Sequence, residues 1–361
     1  MESTAEGLES LEVVEGNFDI NDFRSVEFNE LNLPNLKRVE GFFSVSFSDR
    51  LIIINLDQLE YVGRSFELFN LQFLTTVNGA HLESVQENYS VWRTPFLKNL
   101  PNLELLKRVG EDFRLNTDES LTEINELINL DTVPDVFHLI MPGLLDINIL
   151  DEIDLIGGFV LESAPVTSLA PIAKYDSLPH GFILTSLPEL ESIDGLENMP
   201  SIKAVFQLTN NSKLSNLSLI NSDLIVPSND RMRIIENDQL GMCNEPFLCN
   251  YIDAGGMAIL ENNLPSCNDS SQFSCTVGTS DIENYISYSI YPNPTKQRFT
   301  IEHKDQIINN HLNISITNLQ GQEQEFKKID NQIYHALSAG VYILNIKEVE
   351  NIQRIKFVVG N

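Results

Sequence analysis

An aromatic residue, a variable residue and an aliphatic residue recur along the chain as a triplet. The series is Phe18-Asp-Ile20, Phe43-Ser-Val45, Phe66-Glu-Leu68, Tyr89-Ser-Val91, Phe113-Arg-Leu115, Phe137-His-Leu139, Phe159-Val-Leu161, Phe182-Ile-Leu184, Phe206-Gln-Leu208 and Met232-Arg-Ile234. Successive triplets start 22 to 26 residues apart, giving ten units in register. A fixed period of this size marks a stacked repeat architecture. Because alternate strand residues face opposite sides, each triplet predicts a short strand whose aromatic and aliphatic members point the same way. Leucine combs precede many triplets: Leu33-Pro-Asn-Leu36-Lys-Arg-Val39-Glu-Gly41, Leu56-Asp-Gln-Leu59-Glu-Tyr-Val62-Gly63 and Leu187-Pro-Glu-Leu190-Glu-Ser-Ile193. A spacing of three is too regular for a strand, and Pro and Gly are too frequent for long helices. The combs therefore predict tight turns and short strands coiling round an axis. One turn cannot bury its Phe and Leu, whereas a stack of turns can.

The combination of L-x-x-L-x-x-V-x-G with a following F-x-L, over about Leu8 to Leu240, resembles the L domains of the insulin and epidermal growth factor receptors and their bacterial relatives. That resemblance implies a mainly β fold: a right-handed, L-domain-like (leucine-rich-repeat-like) solenoid of about ten turns over residues 1–240. In short leucine-rich repeats an Asn follows the strand. Only Asn21, Asn116 and, one position on, Asn70 and Asn210 approximate it here, so a stacked core is expected without an asparagine ladder.

Residues 241–277 break the period and hold all four cysteines, Cys243, Cys249, Cys267 and Cys275. A solenoid end exposes an apolar cross-section and needs covering. The segment reads as a C-terminal cap closed by two disulfides, with three pairings open. With no His nearby and unequal cysteine spacings, zinc is not expected. After a linker at 278–284, residues 285–361 alternate short apolar strands with Pro, Asn and Gly turns, which predicts a small antiparallel Ig-like β-sandwich. Tyr291-Pro-Asn-Pro-Thr295, Phe299-Thr-Ile301, Ile314-Ser-Ile316-Thr-Asn-Leu-Gln-Gly321 and Leu337-Ser-Ala-Gly340-Val-Tyr342 follow one another in this stretch. The ordered set resembles the C-terminal sorting domain of the type IX secretion system of Bacteroidetes. The resemblance implies an address read by the type IX machinery at the outer membrane after Sec export. It places Pro292, Asn293, Pro294, Gly340, Tyr342 and Lys356 in the recognised region. The alternative is that they are simply turns and last strands of the sandwich.

Charge sharpens this division. Lys+Arg 23 against Asp+Glu 52 leaves a net charge of −29. From Ile282 to Asn361, eight basic and eight acidic residues cancel, so the whole excess lies in the first 281 residues. A surface of that sign disfavours nucleic acid and anionic membranes as partners. No apolar run approaches the roughly 18 residues a membrane span needs. Met1 to Val13 has no basic n-region and no apolar h-region, yet clustered cysteines point to a compartment outside the cytosol. Since Leu8 to Glu15 already reads as the middle of a repeat, the expectation is that the natural chain starts upstream with its export signal. The expected location is then secreted or at the outer cell surface, via the periplasm.

Motifs of catalysis do not stand out. The six histidines are scattered, and neither G-x-S-x-G, a phosphate-cradling G-x-x-x-x-G-K, nor G-x-G-x-x-G occurs. No enzyme, cofactor or metal is expected. The outward columns of the triplet strands are more informative. One runs Asp19, Ser44, Glu67, Ser90, Arg114, His138, Val160, and the other Asn21, Ser46, Phe69, Trp92, Asn116, Ile140, Glu162. Trp92, the only tryptophan, falls on the outside. At roughly 4.8 Å per turn it neighbours Phe69, with Arg114 and His138 continuing the strip. Glu67, Phe69, Trp92, Arg114, His138 and Ile140 are the candidate ligand-binding residues, for stacking a surface glycan or burying a protein side chain. A structural spacer and a glycan-cleaving β-helix built on Glu67, Arg114 and His138 are the competing readings. Asp131-Thr132-Val133 and Asp176-Ser177-Leu178 also resemble short O-glycosylation motifs of secreted Bacteroidetes proteins.

Overall fold

The structure is a computed structural model. It describes residues 7–23, 28–79, 81–98, 100, 103–117, 121–268, 273, 288–291, 295–303, 313–318, 322–329, 332–348 and 351–360. The chain divides into two compact units, Met1–Cys275 and Thr276–Asn361.

The first unit is a β-solenoid. Sixteen parallel strands form its main sheet. Eleven are the triplet strands, stacked from Phe18–Asn21 to Ala258–Glu261. Five are two-residue strands such as Arg38–Val39 and Tyr61–Val62, where the leucine combs end. The longer strands Thr132–Ile140 and Leu155–Glu162 run through both columns, with a register shift between Val133 and Val136. In the early turns a third column closes the coil with Glu30–Asn32, Ile53–Leu56 and Thr76–Gly79. Further along, 3₁₀ turns at Asn125–Leu127, Asn148–Asp151 and Ala170–Lys174 appear in the coil.

Register places the triplet aromatics one above another, as the strand pattern predicts. The rings of Phe18, Phe43, Phe66, Tyr89, Phe113 and Phe137 stack with neighbouring centroids 5.0 to 5.2 Å apart and planes within 10° of parallel. The strand spacing and an offset ring stack have nearly the same repeat, so backbone ladder and aromatic ladder reinforce each other. The glycine ending a comb is required by close approach: a Cβ on Gly63 would lie 2.1 Å from the carbonyl oxygen of Glu40 in the preceding turn.

The residue after nine of the eleven triplet strands turns the corner in the left-handed region, at Asp22, Phe47, Asn70, Arg93, Ser163, Ser186, Asn210, Glu236 and Asn262. The corner amide still donates to the next turn, as from Asn70 N–H to the Trp92 carbonyl at 2.9 Å.

The C-terminal end departs from the sequence reading in two ways. The period does not stop at Met232: Ala258–Glu261 adds an eleventh strand, with Met232 in register with Ala258. Alanine in place of an aromatic hid it. A short asparagine ladder also exists, one residue beyond the positions expected, at Asn211, Asn237 and Asn263. Each Nδ2 donates to a carbonyl of its own or the preceding turn, and each Oδ1 accepts an amide of the turn before, as in Asn237 N–H to Asn263 Oδ1 at 3.1 Å. Asn268 finishes the ladder by accepting the Asn263 amide at 2.7 Å. Against this end packs the helix Pro246–Asp253, which buries Phe247, Leu248 and Tyr251. Phe247 reaches the Phe206 ring at 5.7 Å. Cys243 and Cys267 form a disulfide, and Cys249 is disulfide-bonded as well. Cys275 lies outside the described residues.

The second unit has two four-stranded antiparallel sheets. One orders Tyr288–Tyr291, Arg298–His303, Gln332–His335 and Phe326–Ile329; the other orders Glu323–Gln324, Asn313–Asn318, Gly340–Glu348 and Asn351–Val359. Its core gathers Phe299, Ile301, Ile316, Ile333, Tyr342, Leu344, Ile346, Phe357 and Val359.

Candidate functional site

On the outward side of the triplet strands, register sets Glu67, Ser90, Arg114 and His138 in line, and beside them Phe69, Trp92, Asn116 and Ile140. Trp92 is half-buried. Its ring leans past the Arg114 turn to meet His138 edge-on, centroids 5.0 Å apart. Phe69 meets the Phe47 ring edge-on at 5.2 Å, and the Arg93 guanidinium carbon lies 6.0 Å from the Phe69 ring centre. Glu67, Phe69, Ser90, Trp92, Arg114 and His138 line one concavity of about 510 Å³. Ile140, in register with Asn116 and Glu162, stands in the column beyond that lining. A second concavity of about 440 Å³ shares Glu67 and Phe69 and extends back to Asp19. The columns are not uniformly open: Ser46 and Val160 are buried.

The basic groups of the groove are held in place. Arg114 Nη2 donates to Asp112 Oδ2 at 2.5 Å, while Asp112 Oδ1 accepts the Val136 amide at 2.9 Å. His138 Nε2 donates to Glu162 Oε1 at 2.9 Å. Arg64 Nε, at the rim of the second concavity, donates to Glu87 Oε1 at 3.0 Å. Among the described residues, no group of three His, Cys, Asp or Glu is placed to hold a metal ion.

Three contributors escaped sequence reasoning. Phe47 and Arg93 sit at corners outside the alternating columns, and Asp112 precedes its triplet. The available signal was chemical: most left-handed corners here carry Asn, Asp or Ser, and a bulky Phe or Arg there is an outlier.

In the second unit, Thr295 is fully buried. Its hydroxyl donates to the Arg298 carbonyl at 2.6 Å, and its carbonyl accepts the Gly360 amide at 2.8 Å. The last residue of the Tyr-Pro-Asn-Pro-Thr motif thus clamps the end of the final strand. Pro292, Asn293 and Pro294 lie outside the described residues. Tyr342 is buried against Phe357, with its hydroxyl donating to the Ser338 carbonyl at 3.1 Å. At Gly340 an added Cβ would meet the Tyr342 ring at 3.5 Å, an ordinary contact. Lys356 lies on the final strand in register with Ile343. Residues 289–360 match the family model of the secretion system C-terminal sorting domain. The second unit holds a type IX sorting domain. No curated protein matches the chain. The sorting domain implies secretion or an outer-surface location and an encounter with the type IX secretion machinery. Among the described residues, no helix is long and apolar enough to cross a membrane.

Proposed function

We propose that the solenoid is a noncovalent binding module, an adhesin or capture protein, carried to the cell exterior by its sorting domain. The observation that carries this reading is the setting of Trp92: a lone tryptophan on the outward sheet, bordered by Phe69 and His138, above a groove whose Arg114 and His138 are held by carboxylates. Aromatic side chains clustered with preorganised polar groups supply contact area at low entropic cost. As the only tryptophan, Trp92 is also its own reporter. Titration of the full chain with an array of glycans and proteins is expected to quench or shift its fluorescence for at least one class. Trp92→Ala should weaken that ligand roughly tenfold or more in a direct binding assay. Silence across the array would replace this reading with a structural spacer, and turnover of a polysaccharide would replace it with an enzyme.

A further inference from the structure

We infer that the ligand of this groove is an extended, uncharged glycan chain lying along the solenoid axis over the first six turns, an inference that rests on the binding reading above. The two concavities share Glu67 and Phe69 and together run from Asp19 in the first turn to His138 in the sixth. Five rises between turns give a length of about 24 Å. That is far more than one side chain or one sugar occupies. The rise between turns, roughly 4.8 Å, is on the scale of one sugar unit, so a linear polysaccharide can present successive units to successive turns.

The lining matches such a chain in kind. Phe47, Phe69 and Trp92 supply aromatic surfaces in three consecutive turns, and Asn21, Ser44 and Ser90 supply amide and hydroxyl groups beside them. Charge argues against a polyanion. The basic residues that line the two concavities, Arg64, Arg114 and His138, are each matched by a carboxylate, from Glu87, Asp112 and Glu162, and Arg93 lines neither. Asp19 and Glu67 have no basic partner among the described residues and are free to accept hydroxyl hydrogen bonds. The corners argue the same way. Phe47 and Arg93 adopt the left-handed conformation against their steric preference, and both reach the Phe69 ring that joins the two concavities. Strain of this kind is retained where the side chain has a task.

The test is titration of the full chain, read by Trp92 fluorescence and by calorimetry, with neutral, cationic and uronic acid oligosaccharides from dimers to octamers. For one neutral series, affinity should rise by roughly tenfold between dimer and hexamer and then level off, as added units fill linked subsites. Phe47→Asn, which suits the corner better, should lower hexamer affinity several-fold. Trp92→Phe should weaken both. Equal affinity at all lengths, or a preference for the uronic or the cationic series, would overturn the inference while leaving a binding groove in place. No response to any ligand class would overturn the binding reading as well.

Discussion

Phe47 has φ +51° and is 42% exposed. A non-glycine residue in the left-handed region costs about 1–2 kcal/mol, least for Asn and Asp. Phe47→Asn is therefore expected to raise stability by about 1 kcal/mol, seen as a higher denaturation midpoint, while binding weakens. A lower midpoint would mean the ring contributes more to packing than the backbone loses. His335 carries the opposite kind of tension. It is buried between Phe299 and Phe357, and burial holds its pKa below the ordinary 6.5. Above the ordinary value both folded and unfolded states are neutral and stability is level. As pH falls below it, the unfolded state takes up the proton first, so the sorting domain loses stability until the folded pKa is passed. Melting the full chain across pH 7 to 4 should show this loss, and His335→Phe should flatten it.

At the scale of the element, the two ends of the solenoid core are built differently. The first turns rely on near-parallel aromatic stacking, whereas toward the last the rings tilt and the Asn211, Asn237 and Asn263 ladder, a helix and disulfides are added. Cys243 and Cys267 are 24 residues apart. Opening a loop of that length costs about 3 kcal/mol in the chain-entropy account. Reduction should therefore lower the melting temperature of the solenoid. Asn237→Ala should cost about 3 kcal/mol as well, because it orphans the buried Asn211 amide and leaves the Leu208 carbonyl of the preceding turn without its side-chain donor. A null effect of either change would place the stability of that end in the helix and apolar core instead. The ladder was not legible from sequence because it spans only three turns and sits one residue past the expected position.

The whole molecule separates an acidic passenger from a neutral address. Deleting residues 276–361 should leave the solenoid in the periplasm of its native host; display of that deletion at the surface would refute the address role. Within the sorting domain, Gly340→Ala is the sharper probe. The glycine has room for a methyl group and lies outside the left-handed region, so the domain should fold as before. Loss of export in that variant would mark Gly340 as read by the machinery, while normal export would make it a strand start and nothing more.

Amphipathic period alone determined the solenoid, the inward aromatics and the outward placement of Trp92. Strand alternation leaves no freedom once neighbouring turns are in register, because a slip of one residue would expose every Phe at once. The sandwich was equally local, its strands marked off by Pro, Asn and Gly. Tertiary structure alone decided what spans turns. It bent Trp92 past one turn onto His138, joined Phe47 and Arg93 to Phe69 across the corner, and paired Arg114 with a carboxylate two residues before it. It also closed the asparagine ladder and the Cys243–Cys267 bond. These contacts depend on where side chains swing from the corners and on which turns stack, quantities that a repeat period does not carry.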